Sequence, residues 1–458
     1  MSARRALPAA PSRRGWCPGL ARPMPTGDGL LARVHPPLGI LSLAQLRAVA
    51  EAASRYGNGH VDITARANLQ IRGVQEATRE PLAAALTDVG LGDVRHDGGP
   101  QRLTLTSPLC GLDPEALVDG STLAARIEAL GRAVAPLPAK TLVAVEAGGR
   151  CTLPDAEADI HVRAVAPGRA EIALATGGAP LGLGVWPEDA VPETVAALLA
   201  AFARTGARRV RDLSDIERAS LSPPSAGEGR TRRVTGEGAT LPREARPSCE
   251  LQPDPEAVVP SCGTSSRSPL LRRVPSPAEG GGRAAVTADA PFGRSTADAL
   301  LRLAAIADWA GARDIRLSPS RGVVLAVDPA RAAEALARLA ADFITDAHDP
   351  RRAVAACPGA PACASGSTPT HADAARLAEA FRPFAARGLT AHVSGCAKGC
   401  AEPRRRDLTL VGHAGRYGVV PDGAPGDAPV EWLTIEAALE RVRGAQTANL
   451  EDLFRTRP

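Results

Sequence analysis

Residues 36–74 read PPLGILSLAQLRAVAEAASRYGNGHVDITARANLQIRGV, and residues 290–327 read APFGRSTADALLRLAAIADWAGARDIRLSPSRGVVLAV. The second stretch aligns with the first without a gap. The residues that coincide are Pro37 with Pro291, Gly39 with Gly293, Leu46 with Leu300, Ala50 with Ala304, Ala53 with Ala307 and Gly57 with Gly311. Alanine-rich helices can match by chance, but the shared proline and glycines favour an internal duplication.

Each copy predicts the same order of elements. A Pro-x-Gly turn precedes a helix with apolar residues at helical spacing, and Gly57 or Gly311 takes the C-cap position. A second helix is predicted to begin near Glu80 or Pro329. Between the helices, strands are predicted at Val61–Thr64, Leu69–Gly73, Ile315–Ser318 and Val323–Val327. This order is the ferredoxin-like α+β pattern, and its duplication predicts a pseudo-twofold molecule with a site between the copies.

The composition indicates a globular chain of several domains. The 458 residues are 44% hydrophobic and 23% charged, which excludes a small disulfide scaffold and wholesale disorder. A net charge of +4 is too small to favour nucleic acid by itself. Because aromatic residues make up only 3% of the chain, no stacking platform for single-stranded nucleic acid is predicted.

Serine, proline, glycine and charged residues dominate between the copies, as in SLSPPSAGEGRTRRVTGEG and PSPAEGGG. A linker or disordered insertion is predicted there, and its Cys249 and Cys262 are interpreted as incidental. The predicted divisions are a flexible N-terminus at 1–21, a first ferredoxin-like repeat at 22–95, a first α/β domain at 96–218, the linker at 219–284, a second repeat at 285–346 and a second α/β domain at 347–458.

No sequence signal directs the chain to a membrane. The first residues, Met1–Arg22, lack the apolar stretch of a signal peptide, and the longest apolar run, Val195–Ala203, is too short to cross a bilayer. We expect a cytoplasmic protein with no membrane partner. In such a reducing compartment, clustered cysteines more often bind metal than form disulfides.

The most specific signal is a set of four cysteines in the second half. Five residues separate Cys357 from Cys363, and three separate Cys396 from Cys400. The pairs lie in Gly-rich loops on either side of a helix predicted at about 372–386, so four thiolates can surround one metal centre. Structural zinc fits less well, because zinc ligands usually lie closer together in sequence; unconnected buried thiols are a further alternative. A 4Fe-4S cluster is the favoured interpretation.

The four cysteines resemble the cluster ligands of sirohaem-dependent nitrite and sulfite reductases, which also contain a duplicated ferredoxin-like unit. Within that superfamily the chain is most similar to the precorrin-3B synthase family of aerobic cobalamin biosynthesis. The similarity rests on RRGWCPGLARPMPTGDGLLARV, ITARANLQIRG, TSPLCGLDP, APFG, IRLSPSRG, ACPGAPACASG and HVSGCAKGC. The resemblance implies duplicated ferredoxin-like (sirohaem-reductase half-domain) units and two α/β cluster- or substrate-binding domains related by pseudo-twofold symmetry.

The resemblance also distinguishes two activities. Reductases of this superfamily gather arginine and lysine around a small anion at the iron of sirohaem. Arg66 matches the arginine of that group and Lys140 the first lysine of a Lys-x-Lys pair, but the second position is the uncharged Leu142. The incomplete anion cradle favours the synthase, in which the tetrapyrrole substrate takes the place of sirohaem. Sirohaem is expected only under the alternative, a nitrite or sulfite reductase; a non-catalytic iron–sulfur or zinc protein for electron transfer or scaffolding is the second alternative.

Contacts to the substrate are expected from basic residues, because precorrin-3A carries many carboxylates. Arg66, Arg72 and Arg321 lie at the predicted strand pairs of the two repeats. Lys140 and Lys398 are the only lysines among 54 basic residues, which indicates a need for an ammonium group at these two positions. A solvated surface charge is the alternative for each residue.

The reaction implied by the resemblance is a monooxygenation by an oxidoreductase. Molecular oxygen supplies a hydroxyl at C20 of precorrin-3A, and a ring-A acetate closes onto C1 as a γ-lactone. A mononuclear non-haem iron is also implied, and His392 is its nearest candidate ligand to the cluster cysteines. Glu402 stands where the family has histidine. Cys110 is interpreted as a buried thiol and not as a ligand, and Cys17 and Cys151 are interpreted as isolated thiols. Because no Gly-rich nucleotide fingerprint is apparent, an external reductase is expected as electron donor; no catalytic residue is assigned.

Overall fold

A computed structural model of the chain describes residues 16–153, 156–221 and 282–444, together with the backbone of 271–275. Most of the N-terminus predicted at 1–21 and of the linker predicted at 219–284 lies outside these ranges, as do Cys249 and Cys262.

The first repeat is an antiparallel sheet covered by two helices. Ser42 begins the first helix with a capping box, in which its Oγ accepts from the Gln45 N–H at 3.1 Å and its own N–H donates to the Gln45 side chain at 2.9 Å. The helix ends at Tyr56 with Gly57 as its C-cap, and only glycine fits there because a Cβ would lie 2.5 Å from the Arg72 carbonyl oxygen of the sheet. The elements are β1 Met24–Thr26, β2 Gly29–Val34, β3 Ile40–Ser42, α1 Leu43–Tyr56, β4 His60–Ile63, β5 Leu69–Val74 and α2 Arg79–Asp88.

The first α/β domain follows. Its sheet has the strand order β10-β9-β8-β7-β6, in which β6, β7 and β8 are parallel and the remaining pairs are antiparallel. The elements are β6 Thr104–Thr106, α3 Gly120–Arg132, β7 Val143–Glu146, β8 Ile160–Ala166, β9 Arg169–Leu174, β10 Leu181–Pro187, α4 Val191–Thr205 and α5 Asp215–Ser220.

The second half repeats this order. Its ferredoxin-like repeat comprises β11 Leu271–Pro275, β12 Gly282–Asp289, β13 Arg294–Thr296, α6 Ala297–Trp309, β14 Asp314–Ser318, β15 Gly322–Val327 and α7 Ala332–Leu339. Its α/β domain comprises β16 Val354–Ala356, α8 Thr370–Ala386, β17 Ala391–Ser394, β18 Arg406–His413, β19 Arg416–Gly423, β20 Glu431–Leu433 and α9 Ile435–Gly444. The sheet order β16-β17-β18-β19-β20, with the first three strands parallel, matches that of the first α/β domain.

The two repeats exchange one short strand. The repeat sheets have the orders β1-β2-β5-β4-β13 and β11-β12-β15-β14-β3, so β13 of the second repeat extends the first sheet and β3 of the first extends the second. In register, Arg294 lies opposite Asp62, and Leu41 lies opposite Ile315. One core connects the repeats and includes Leu46 and Leu300, each only 1% exposed.

The duplication is also visible in unusual backbone angles. Leu38 and Phe292 occupy equivalent turns with φ of 52° and 54°, and Ala67 and Arg321 occupy equivalent hairpins with φ of 50° and 66°. Residues with side chains rarely adopt such angles. Their recurrence at equivalent positions supports duplication better than any match of alanines.

The α+β fold with ferredoxin-like repeats is confirmed, and the predicted helices and hairpins of the repeats are present with small shifts at their ends. The strand β11 lies inside the stretch predicted as a linker. It pairs with β12, with Leu271 opposite Val286. Its sequence LRRVP has no hydrophobic period, so the strand could not be recognised from the sequence. The strand exchange was not predicted.

Candidate functional site

The four cysteines follow two adjacent parallel strands. Cys357 comes directly after β16, and Cys396 lies two residues beyond β17. Because β16 and β17 pair in parallel, with Ala356 opposite Val393, both loops begin at the same edge of the sheet, where the two strands end. The structure therefore places the two cysteine pairs side by side.

The four thiols interact with one another. Burial, and then the nearby Cys363, raise the pKa of the Cys357 thiol. Burial, followed by Cys363 and Cys357, also raises the pKa of Cys396. Desolvation by surrounding atoms raises the pKa of Cys400 to about 11, with further contributions from Cys357, Cys396 and Cys363. The thiols of the two loops therefore influence one another electrostatically.

The loops that carry the cysteines pack through glycines. A Cβ on Gly395 would lie 3.2 Å from the Gly359 Cα and 3.4 Å from the Gly366 Cα. The Gly395 N–H donates to the Cys357 Sγ at 3.1 Å. Such N–H donors to sulfur stabilise the thiolate form, which is the form that binds metal.

This donor set fits a 4Fe-4S cluster. It offers four thiols from two adjacent loops with a backbone N–H aimed at sulfur, and it ranges from the buried Cys357 to the exposed Cys400. Within the described ranges, these four cysteines included, no three His, Cys, Asp or Glu side chains gather as the ligands of a single metal ion would. A site for a mononuclear iron is therefore not found among these residues.

Basic residues from both halves interact beside the loop that carries Cys396 and Cys400, which we call the cluster loop. Besides burial, the charges that act on the Lys140 ammonium are those of Cys17, Arg66, Arg209 and Lys398, and the net effect lowers its pKa. Lys398 lies between Cys396 and Cys400, so the charges of the first α/β domain and of this cysteine loop act on each other. We call Arg66, Lys140, Arg209 and Lys398 the cation cluster.

Hydrogen bonds and an ion pair within the first half hold Arg66 and Arg209 of the cation cluster. Arg66 Nη1 donates to the Lys140 carbonyl oxygen at 3.2 Å. Arg209 is buried and forms an ion pair with Asp159, with 3.0 Å between Nε and Oδ1. Asp159 also accepts the Leu142 N–H at 3.0 Å, and the Leu142 side chain is only 3% exposed. The position of the missing second lysine therefore belongs to the core.

The sequence missed two members of this region. Cys17, interpreted as isolated, interacts electrostatically with Arg33, Arg66 and Lys140. The stretch RRGWCPG contains Cys17 and matches the family, but it carries no information about the spatial neighbours of this cysteine. Arg209 had no signal at all, since it is one arginine in an arginine-rich stretch.

The two other predicted arginines have protein partners. Arg321 Nη2 donates to the Ala401 carbonyl oxygen at 2.6 Å, beside the cluster loop. Arg72 is only 2% exposed and donates to Asp28, Asp62 and the Ala362 carbonyl oxygen. These contacts account for the Arg72 guanidinium within the protein, and we leave it out of the proposed substrate-binding set.

His392 lies on β17, just before the loop of Cys396 and Cys400, and Glu402 follows Cys400 by two residues. His392 is 0% exposed, and neither ring nitrogen has a hydrogen-bond partner among the described residues. Its burial lowers its pKa to about 4. Glu402 forms ion pairs with Arg404, at 3.0 Å, and with Arg406. Although burial alone would raise the pKa of Glu402, these arginines lower it to about 2 and occupy the oxygens that a metal would need.

Cys110, predicted as a buried thiol, is 6% exposed, and its burial raises its pKa to about 11. No helix in the described part of the chain is both long and apolar enough to cross a membrane.

Comparison with known proteins places the chain among tetrapyrrole-related oxidoreductases. The family model of the nitrite/sulfite reductase ferredoxin-like half domain matches residues 22–89 and 277–342. A precorrin-3B synthase from Sinorhizobium sp. is 36% identical over 438 residues, which cover 92% of this chain and 85% of that protein. A ferredoxin–nitrite reductase from Synechococcus elongatus is 27% identical over 429 residues, which cover 87% of this chain and 79% of that protein. The solved structure of the Mycobacterium tuberculosis NirA protein superposes with a TM-score of 0.64 at 20% identity, covering 93% of this chain and 84% of that chain, and so shares its fold.

Proposed function

This chain belongs to the precorrin-3B synthase family of the nitrite and sulfite reductase superfamily, and from that premise we propose that it converts precorrin-3A to precorrin-3B. One atom of O2 enters the substrate as the C20 hydroxyl, and a ring-A acetate closes onto C1 as a γ-lactone. The other oxygen atom leaves as water, with two electrons and two protons from an external donor. The observation that carries the proposal is 36% identity to a precorrin-3B synthase over 92% of the chain.

Cys357, Cys363, Cys396 and Cys400 would hold the 4Fe-4S cluster, since their thiols form one interacting set. When bound, such a cluster supplies single electrons to the reaction. The chain itself orders the thiols through the carboxyl ends of β16 and β17 and stabilises Cys357 through the Gly395 N–H. No step is assigned to a mononuclear iron or to His392, because no set of three ligands for a single metal ion gathers around His392 among the described residues.

The cation cluster would bind the carboxylates of precorrin-3A. Arg66 can form paired hydrogen bonds to one carboxylate, while Lys140 and Lys398 offer compact charges on either side of the boundary between the halves. Lys140 and Lys398 are exposed, and Arg66 is partly exposed. A polycarboxylate lying across this boundary would meet all three. Arg321, beside the cluster loop, is a further proposed contact.

The alternative is a sirohaem-dependent nitrite or sulfite reductase, favoured by the ferredoxin–nitrite reductase relative. Two features weigh against a small anion as substrate. Leu142 is buried in the core at the position where a reductase of this type would need a second lysine. Arg209 is already paired with Asp159. A non-catalytic electron carrier or scaffold is less compatible with enzymes as relatives along most of the chain.

The first experiment is anaerobic absorption and EPR spectroscopy of the purified protein, with iron and sulfide analysis, followed by addition of precorrin-3A, a reductant and O2. We expect cluster absorption without sirohaem bands, and a product whose mass increases by one oxygen atom, labelled from 18O2. Sirohaem bands with nitrite or sulfite turnover would establish the alternative, and a colourless zinc protein would overturn both. Turnover with NADH and the purified protein alone would contradict the external donor.

A further inference from the structure

Arg72 connects the first repeat to the cysteine loop of the second half. Its Nε and Nη2 donate to the two carboxylate oxygens of Asp28, each at 2.9 Å, and its Nη1 donates to Asp62 at 3.2 Å. Its Nη2 also reaches the Ala362 carbonyl oxygen at 2.5 Å, across 290 residues of sequence. Ala362 immediately precedes Cys363, so this contact ends on the backbone of a cluster ligand.

The turn between β1 and β2 supplies a second donor to the same carbonyl. The Gly27 N–H donates to the Ala362 oxygen at 3.1 Å. Thr26 shapes this turn, since its Oγ1 donates to Asp28 at 2.8 Å and to the Gly29 carbonyl oxygen at 2.9 Å. The sequence MPTGDG thus forms a turn that presents one N–H to the cysteine loop and one carboxylate to Arg72.

The second repeat completes the network. Arg294, on the exchanged strand β13, donates to Asp62 through Nε at 2.7 Å and through Nη2 at 3.2 Å. Two carboxylates therefore face two guanidinium groups in a region where Asp62 and Arg72 are both largely buried. A buried network with matched charges and satisfied donors holds its members in one geometry.

We propose that Arg72, with the Gly27 N–H, is a positioning residue for the cluster: it fixes the Ala362 carbonyl and thereby the Cys363 thiol. The proposal rests on the 4Fe-4S cluster of the proposed function, but not on the identity of the substrate. Residues that orient metal ligands from outside the ligand set typically contribute about 10- to 100-fold to metal affinity. Arg72 is in this sense a support of the cluster and not a contact to the substrate.

The first half contains a matched control. Arg316 is 7% exposed, and its Nη1 donates to the Cys110 carbonyl oxygen at 2.6 Å and to the Pro108 carbonyl oxygen at 3.3 Å. It is also paired with Asp314 at 3.0 Å. Arg316 thus holds the corresponding loop after β6, which carries none of the four cluster cysteines. Replacing it perturbs a similar buried arginine without touching the cluster.

The experiment compares full-length holoprotein with Arg72→Gln and Arg316→Gln variants, all purified anaerobically. Thermal unfolding, iron and sulfide content, the EPR spectrum of the dithionite-reduced cluster, and the rate of cluster bleaching in air are measured. We expect both variants to lower the unfolding temperature, whereas only Arg72→Gln accelerates bleaching, by about tenfold, and alters the EPR line shape. Asp28→Asn, which leaves Arg72 in place but weakens its anchor, is expected to change bleaching in the same direction by less.

Equal bleaching rates for Arg72→Gln and Arg316→Gln would overturn the proposal, as would an unchanged cluster with a raised KM for precorrin-3A. If Arg72→Gln does not fold, Asp28→Asn and Arg72→Lys decide: wild-type bleaching rates in both would refute positioning. A wild-type protein that binds no cluster would instead refute the cofactor of the proposed function, and the two failures are therefore distinguishable.

Discussion

The residues that the sequence could identify are those with rare chemistry. Four cysteines in two tight spacings and two lysines among 52 arginines stand out without any structure. Arg209 and Cys17 could not be identified, because their importance lies in neighbours that are distant in sequence. The exclusion of Arg72 from the substrate contacts also required coordinates, since only they reveal that protein oxygens already occupy its donors.

Lys140 provides a direct test of substrate binding. Lys140→Met removes one charge from the cation cluster, and we expect the dissociation constant for precorrin-3A to rise about tenfold, the effect of losing one charged contact of about 1.4 kcal/mol. Anaerobic titration followed by the absorbance of the substrate measures it. Arg169→Met, which removes an exposed charge at the first residue of β9, should leave the affinity unchanged. Equal effects from both would point to general attraction between opposite charges.

Cys363 tests the ligand set. Cys363→Ala should abolish bound iron and sulfide, because a cluster of this type is held by four thiolates. Cys110→Ala is the matched variant: it removes a buried thiol outside the set, so it should lower stability while retaining full iron and sulfide. A cluster retained in Cys363→Ala would mean that another residue is the fourth ligand.

Asp62 predicts how stability depends on pH. Burial would raise the pKa of Asp62, but Arg294 and Arg72 lower it below its ordinary value. A lowered pKa stabilises the fold fully above the unfolded value of about 4 and loses this contribution as the pH falls through the folded value. Asp62→Asn should cost about 3–5 kcal/mol at pH 7, with a smaller difference from wild type at about pH 3. Urea unfolding at both pH values measures this, and Asp298→Asn, an exposed carboxylate, serves as the control.

At the level of elements, the spacing of apolar residues and the positions of proline and glycine predicted the helices and hairpins of both repeats. Apolar residues at helical spacing, ended by Gly57 and Gly311, were sufficient for α1 and α6. The exchanged strands β3 and β13 could not be predicted, because each is three residues long and its partner lies in the other copy. Strand partners over such distances leave no local pattern in a single sequence.

The shared core between the repeats predicts symmetric sensitivity to truncation. Leu46 in α1 and Leu300 in α6 occupy equivalent positions and are each 1% exposed. Leu46→Ala and Leu300→Ala should each lower the free energy of unfolding by about 2–5 kcal/mol. A single unfolding transition should remain in both variants, because one core connects the repeats. Two separated transitions would indicate that the copies unfold independently.

In the molecule as a whole, the two halves share one architecture but contain different candidate site residues. Both contain a ferredoxin-like repeat and an α/β domain with the same strand order. The second half holds all four candidate cluster cysteines, whereas the first half contributes Arg66, Lys140 and Arg209. The proposed site therefore draws residues from both halves, and the site between the copies that the sequence predicts stays a prediction.

Separating the halves should abolish folding. A break placed between residues 222 and 270 leaves each described half without one strand of its repeat sheet and without half of the shared core. We expect neither half alone to give a cooperative unfolding transition, and co-expressed halves to purify as a complex that restores it. Circular dichroism and gel filtration measure both. A half that unfolds cooperatively on its own would show that the strand exchange contributes little to stability.

The strand exchange also has a consequence for synthesis on the ribosome. Arg294 on β13 lies 232 residues after its partner Asp62 on β4. At about 5–20 residues per second, the edge of β4 emerges about 10–50 s before the strand that covers it. During this interval the nascent chain exposes an open sheet edge, which is a template for aggregation. The yield of active protein should therefore depend on translation speed and chaperone supply, and added chaperones, which shield the open edge during this interval, should improve it.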